Sequence, residues 1–396
     1  ATAGGTATAG GTATAGGTAT AGGTATAGGT ATAGGTATAG GTAAAGGTAA
    51  AGGTATAGGT ATAGGTATAG GTATAGGTAG GSATAGGSAV DAGCPYPPQV
   101  RYFTIGSTTW NDLQPFGSDF ILVGNGGSIR QFNPADGGSA DLGGGTCNGK
   151  GDFLGVSVRP VDSAVLISTS TGALVRWTGP GQCSGVNALT SGLATAIKAF
   201  DGSTFVGSFS GSNLNSAGNV ALFRLRPDGG SPSSQTVGFG QVWELSGPSI
   251  NDLYAAGWDH STQLRNRVWQ FDPGGPSWSP VVSSNNMNTP LFTIDVPSPS
   301  LGFTAGRGFI EWNGAVWTYR PDPPFDVFTL KVISSNEVYA AGYDGARIGF
   351  ALWDGNMWRL LGPSPAPMGA INRMRGSSRC GLLGVGSGGN AVTTFP

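Results

Sequence analysis

Side chains that carry chemistry are scarce in this chain of 396 residues. It has one histidine, His260, and three lysines, Lys150, Lys198 and Lys331, and only 10% of its residues are charged. A single imidazole cannot furnish a convincing Ser-His-Asp relay or a histidine metal site, so the inventory argues against most enzyme classes, and none is expected. Excess charge of one sign is also missing. Its 18 Lys and Arg against 20 Asp and Glu leave a net charge of −2, with no basic field to attract nucleic acid or an anionic membrane. Gly and Thr interrupt every apolar run, so no stretch is built to span a bilayer. There is no Cys-x-x-Cys pair and no Asp-x-Asp-x-Asp-Gly loop, so neither a zinc site nor a calcium loop is expected, and no cofactor is implied. The four cysteines, Cys94, Cys147, Cys183 and Cys380, suit two disulfides in an oxidising compartment and allow three connectivities. With a first residue of Ala1 and no leader sequence, the chain reads as a processed, extracellular or cell-surface protein.

These absences are regional. Residues 1–90 contain no ionisable side chain, Asp91 being the first, and no aromatic, Tyr96 being the first. What fills residues 1–78 is thirteen consecutive copies of Ala-Thr-Ala-Gly-Gly-Thr, with only Ala44 and Ala50 standing in for Thr. A shortened unit and a Ser-ended copy carry the pattern to Ser88. Two glycines in every six residues would each cost a helix about 1 kcal/mol relative to Ala. A collagen-type helix needs glycine at every third place, not two side by side. β structure remains: Thr-Ala-Thr-Ala is a short strand with threonines on one face and alanines on the other, and Gly-Gly is its turn. Two hexads then make a flat coil of 12 residues with alanine inside and threonine columns outside. The alternative lattice is a cross-β one, in which the rungs come from different chains.

The hexad resembles the Gly-Ala-Gly-Ala-Gly-Ser unit of crystalline silk, and its Thr-Ala-Thr triplet resembles the Thr-x-Thr arrays of insect ice-binding solenoids. A segment without large apolar residues has little to offset the roughly 1 to 2 kcal/mol of backbone entropy lost per ordered residue, so neighbouring copies are expected to supply stability. The repeat starts at Ala1 without a cap, charge or proline. Ala1, Thr2, Ala3, Gly4, Gly5, Thr6, Thr8 and Thr12 are therefore the expected first assembly contacts, and residues 1–88 the fibre-forming segment of a homopolymer.

Residues 89–99 read as a linker, and residues 100–396 as short strands between Gly, Pro and Asn turns. Asn251-Asp252-Leu253-Tyr254-Ala255-Ala256-Gly257 aligns with Asn336-Glu337-Val338-Tyr339-Ala340-Ala341-Gly342. Aromatics bracket the hairpins Trp312-Asn313-Gly314-Ala315-Val316-Trp317 and Trp353-Asp354-Gly355-Asn356-Met357-Trp358. The aromatic opening each such hairpin recurs at Phe132, Trp177, Phe223, Phe271, Trp312, Trp353 and Phe395, at intervals of 41 to 48 residues. That spacing suits a four-stranded blade and predicts seven of them. The last blade runs out at Phe395, and Val100 to Ile105 is placed to complete it.

These units resemble the repeat propellers of secreted and surface proteins of bacteria, in which a Ser-x-x-Asp-Val-Tyr-Ala-x-Gly strand leads to a Trp-Asp-Gly-x-x-Trp hairpin. The resemblance spans residues 242–360 best and implies an all-β chain, a β-rich repeat followed by a seven-bladed β-propeller. With the ring closed by the N-terminal strand, Cys94 would meet Cys380, leaving Cys147 to Cys183. His260 reads as a plain surface residue, and Gly124-Asn125-Gly126-Gly127 as a turn. Trp258, Tyr343 and Trp110 are the candidates for stacking on sugars, although core packing is the commoner fate of such rings. Arg265 and Arg267 flank a long loop and suggest no ligand. The expected role is structural: an extracellular filament whose core is the repeat and whose surface is decorated by the propeller. The rival expectation is an ice-binding or glycan-binding adhesin on a repeat stalk.

Overall fold

The computed structural model describes the short strands within residues 2–85, and residues 94–395 apart from 190–191, 212–217, 227–231, 260–264, 276, 285–290, 344, 346 and 363–368. The chain divides into two compact units, one built on residues 1–94 and the other on Pro95–Val332 with Asn336–Pro396. No helix among the described residues is long and apolar enough to cross a membrane.

In the first unit every Thr-Ala-x-Ala tetrad from Thr6–Ala9 to Thr72–Ala75 is a strand, preceded by Thr2–Ala3 and followed by Ala83–Ala85. Consecutive strands alternate between two seven-stranded sheets, so each pairs in parallel with the strand one 12-residue step away. The register is strict: Thr12 lies against Thr24, Ala13 against Ala25, Thr14 against Thr26. In the other sheet Thr6 lies against Thr18 and Ala7 against Ala19. Ala13, Ala19, Ala25, Ala31 and Ala37 are wholly buried, whereas Thr6, Thr8, Thr12, Thr14, Thr24 and Thr26 are exposed. The pleat thus sorts the two residue types by face. Ala44 and Ala50 fall in register with Thr32 and Thr38, which are exposed.

The second unit is a ring of seven four-stranded antiparallel blades among the described residues. The innermost strands are Trp110–Phe116, Phe153–Val158, Leu193–Phe200, the second half of Ser233–Ser246, Leu291–Ser298, Asp326–Ser334 and Ile371–Arg375. Blades 3 and 4 share the long strand Ser233–Ser246, whose first half pairs with Gly218–Leu225 and whose second half pairs with Tyr254–Asp259. The aromatic markers Phe132, Trp177, Phe223, Phe271, Trp312, Trp353 and Phe395 each fall on the third strand of a blade. Blade 7 is completed by Gln99–Thr104, antiparallel to Asn390–Phe395 with Val100 opposite Thr394. Closing the ring with a strand from the other end of the sequence covers an edge that would otherwise be open.

The Trp-x-Gly-x-x-Trp hairpins form as their residues require. Asn313 Oδ1 accepts from the amides of Ala315 and Val316, and Asp354 Oδ1 from those of Asn356 and Met357. Gly314 and Gly355, at φ of 89° and 93°, take the left-handed position that a side chain disfavours. Those amide bonds from Met357 and Asn356 hold the Asp354 carboxyl below its usual range. Cys147 and Cys183 are bonded at 2.06 Å and pin the segment between blades 1 and 2 to the outer strand of blade 2. Cys94 and Cys380 are disulfide-bonded as well.

Candidate functional site

The inner strands carry one five-residue pattern: apolar, variable, small or polar, apolar, then polar or small. It reads WNDLQ from Trp110, FLGVS from Phe153, ATAIK from Ala194, VWELS from Val242, LFTID from Leu291, VFTLK from Val327 and INRMR from Ile371. First and fourth positions are buried between the blades throughout. At the second position the pairing with the next strand slips by one residue in six of the seven, leaving Asn111, Leu154, Thr195, Trp243, Phe292 and Asn372 unpaired in β-bulges. Phe328 holds the equivalent place in blade 6. A bulge re-aims the inserted side chain. Here it turns the second residue toward the axis.

The bulges explain the glycine of the Tyr-Ala-Ala-Gly strands. A Cβ on Gly257 or Gly342 would stand 2.1 Å from Gln241 O or 1.9 Å from Asp326 O, and one on Gly386 1.9 Å from Ala370 O. Only a residue without a side chain admits the inner-strand carbonyl this closely.

All seven second-position residues line a cavity of about 550 Å³ on the propeller axis. Blades 4, 5 and 6 give it an aromatic arc of Trp243, Phe292 and Phe328, with rings 5.9 Å and 5.1 Å apart and inclined at 69° and 90°. Blades 7 and 1 give it amides. Asn111 Nδ2 donates to Phe153 O and Asn125 Oδ1, each at 2.9 Å, and Asn372 Nδ2 donates to Trp110 O at 2.9 Å. Gln241 Oε1 accepts from Trp258 Nε1 at 2.7 Å, and Arg373 Nη2 donates to Trp243 O at 2.7 Å. The amides of this arc are therefore held in place by bonds to neighbouring strands and blades.

Third- and fifth-position residues meet across the axis as an ion cluster. Arg375 Nη2 of blade 7 lies 2.7 Å from Glu244 Oε1 of blade 4 and 3.6 Å from Asp112 Oδ1 of blade 1. Arg373 lies 3.4 Å from Glu244 and 3.7 Å from Asp112, and Lys331 Nζ lies 2.9 Å from Asp295 Oδ2. Burial raises the Asp112 carboxyl despite the two arginines. Burial also opposes ionisation of Glu244, but Arg373, Arg375 and hydrogen bonds from Thr293 and the Ile294 amide carry it below its usual range. At Asp295 burial is likewise overcome, by Lys331, the Val332 amide and Arg375. Lys198 is lowered by desolvation, then by Arg375 and Lys331.

The same polar residues link neighbouring blades through the backbone. Asp112 accepts from the Val156 amide, Ser157 from Ala199, Glu244 from Ile294, Thr293 from Leu330, Asp295 from Val332 and Thr329 from Met374. Thr195 donates to Val242 O, and Asn372 to Trp110 O across the closing junction. Every inner strand is thereby bonded to the next.

Of the expected stacking residues, Trp258 lines the cavity. Trp110 does not: it is 1% exposed, and its Nε1 donates to Ile105 O at 2.8 Å, so it is a core residue. Tyr343 ends the strand Glu337–Tyr343 and is not among the residues lining the cavity. Arg267 pairs with Asp259 at 3.2 Å. His260, Ala1, Gly4 and Gly5 lie outside the described residues, as does the Arg265 side chain, while Thr2 and Ala3 form a strand. Among the described residues no three His, Cys, Asp or Glu side chains are grouped to hold a metal ion.

No protein-family model and no curated protein matches the chain. Solved structures do. The chain is similar to YCF48 bound to D1 peptide (17% identity, TM-score 0.56, 78% of this chain and 99% of that one). It is also similar to a chain of the mitotic checkpoint complex (14%, 0.57, 78% and 95%) and to the WD40 β-propeller domain of Doa1 (13%, 0.53, 74% and 95%). At such identities the likeness is one of fold, and the fold is a β-propeller.

Proposed function

We propose that the chain is a non-catalytic structural subunit of an extracellular filament, in which residues 1–88 coil into a two-sheeted solenoid that assembles with other copies and the propeller is the displayed head. The observation that carries this reading is the strict 12-residue register, Thr on Thr and Ala on Ala, of a segment with no charge. Nothing in the unit distinguishes the next coil of the same chain from a coil of another. Its interior is alanine, which buries too little apolar surface per residue, at ~25 cal/mol per Å², to hold an isolated stack firmly. Further backbone pairing or face-to-face packing of the threonine columns supplies what the interior lacks, as in other small-residue β lattices. Four disulfide-bonded cysteines suit an oxidising, extracellular setting.

Electron microscopy of the full chain and of a chain truncated to begin at Cys94 tests the proposal. Fibres are expected from the first and not the second, and fibres from both would refute it. A second reading, ice binding, is favoured by one observation: Thr12 and Thr14, and Thr24 and Thr26, are exposed pairs repeated at the strand spacing of ~4.8 Å. Thermal hysteresis by the full chain would support it.

A further inference from the structure

We propose that the axial cavity of the propeller is a binding site for a neutral saccharide, one or two sugar units in size. Its volume, about 550 Å³, lies in the range of small-molecule sites, which run from about 300 to 1,000 Å³. The site is built rather than incidental. Each inner strand contributes the residue of its second pattern position, and in six of the seven a bulge at that position turns one residue toward the axis. The bulge sets the apolar first and fourth positions in one buried cluster and leaves the second residue to face the axis.

The chemistry of the wall selects the ligand. One arc is aromatic and the other carries amides, the division found on a pyranose between its C–H faces and its hydroxyls. Trp243 and Phe292 are inclined at 69°, and Phe292 and Phe328 at 90°. Such rings offer no parallel slot for a planar base or other heteroaromatic, which stacks face to face. They do present a corner of faces and edges to a puckered aliphatic ring. Opposite them, both amide hydrogens of Asn111 are directed at Phe153 O and Asn125 Oδ1, so its Oδ1 is the atom left to accept a hydroxyl. Asn372 is fixed by one amide hydrogen on Trp110 O and keeps a donor and an acceptor. Arg373 gives its Nη atoms to Glu244 and to Trp243 O, and although its Nε makes no hydrogen bond, Glu244 at 3.4 Å and Asp112 at 3.7 Å already meet its charge, so it offers little to an anionic group. The ligand is therefore uncharged.

The experiment uses the full chain and a panel of soluble neutral mono- and disaccharides, read by tryptophan fluorescence and titration calorimetry. At least one sugar should bind and perturb the tryptophan emission, since Trp243 and Trp258 line the cavity. Phe292→Leu keeps apolar volume but removes the ring, and should weaken binding about tenfold with thermal stability unchanged. Asn372→Leu should abolish it. Because Asn372 also bonds to blade 1 and Asn111 to blade 2, thermal unfolding is measured for Asn372→Leu and for Asn111→Ser, and Phe328→Leu, which removes no hydrogen bond between blades, serves as the further variant that should weaken binding without unfolding the ring. No sugar bound at about 10 mM would overturn the proposal. So would sugar binding that survives Phe292→Leu and both asparagine variants, or a site that takes charged or heteroaromatic probes in preference to sugars. The proposal is independent of the filament: a chain that forms no fibres would still bind.

Discussion

Replacing Arg375 by methionine should cost the propeller more than any exposed charge change. Its guanidinium is the bridge between Glu244 at 2.7 Å and Asp112 at 3.6 Å, and the two carboxylate side chains are 5% and 6% exposed. Removing one partner of a buried pair usually costs about 3 to 5 kcal/mol, because the charge left behind cannot recover its hydration. Arg373 stays within 3.4 Å of Glu244 and 3.7 Å of Asp112, which places the expected loss at the lower end, about 3 kcal/mol. With a urea dependence of roughly 3 kcal/mol per M for a ring this size, the midpoint should fall by about 1 M.

The pH dependence gives an independent check. Glu244 is held below its ordinary value, so it contributes stability that is present above the unfolded pKa near 4.3 and is lost as pH falls through the folded one. Without Arg375 that contribution shrinks, and Asp112, already raised by burial, rises further. Both carboxyls then protonate earlier in the variant. The difference between variant and parent should be greatest near neutrality and should shrink toward pH 4. Around Glu244 stand Thr293, the Ile294 amide, Asp112 and Arg373, the last being the cation that stays in contact with it when Arg375 is removed. Adding Glu244→Leu to Arg375→Met should restore part of the loss. A penalty below about 1 kcal/mol at neutral pH, or one that does not shrink on acidification, would refute the reasoning.

Other outcomes follow from the same geometry. Gly257→Ala puts a methyl 2.1 Å from Gln241 O beside the Trp243 bulge and should cost about 3 kcal/mol, whereas Gly185→Ala, with no atom within 4 Å, should be nearly neutral by urea unfolding. Burial pushes the Tyr254 and Tyr102 hydroxyls up to about 12, and raises Tyr339 still further with the help of Glu337, to which it donates at 2.9 Å. Raised values mean stability that is complete below the unfolded pKa near 10 and lost as pH climbs through the folded values. The tyrosinate absorbance of these three, out of six tyrosines, should therefore appear together with loss of the circular-dichroism signal above about pH 10, and not before it. The Cys147–Cys183 bond spans a sequence separation of 36, so Cys147→Ser with Cys183→Ser should lower stability by about 3 to 4 kcal/mol in unfolding experiments.

How much of this was legible beforehand differs by element. The hexad carries its own period, so its strands coincide with Thr-Ala-Thr-Ala and its turns with Gly-Gly. The blades were countable because the aromatic on the third strand is large and recurs. The closing strand, expected from Val100, begins at Gln99. The axial cavity was hidden for a physical reason. A strand advertises itself by alternation, and each bulge breaks the alternation at the residue that matters, so apolar residues fall three apart instead of two. The polar places also differ from blade to blade: Asp112, Gly155, Ala196, Glu244, Thr293, Thr329 and Arg373 share a position and no chemistry. Their common role appears only when the blades are superposed. The single legible trace was the recurrent glycine of the second strand, at Gly257 and Gly342, whose purpose is the close approach of the inner-strand carbonyl.

The scarcity of charge thus has two opposite expressions in one chain. In the repeat, strands pair with identical strands 12 residues away, and a lysine repeated in every coil would set like charges a strand spacing of ~4.8 Å apart. In the propeller, seven charges, on Asp112, Lys198, Glu244, Asp295, Lys331, Arg373 and Arg375, occupy third and fifth pattern positions of the inner strands. There they fix blades against one another rather than interact with solvent. Ion pairs of this kind add little net stability over apolar packing, but a buried charge left without its partner costs about 3 to 5 kcal/mol, which penalises a blade docked out of register. A ring of seven similar blades needs that discrimination, since any blade could otherwise dock in the wrong place. In the repeat each strand pairs with a near-identical one 12 residues away, and no side chain there marks one register from the next.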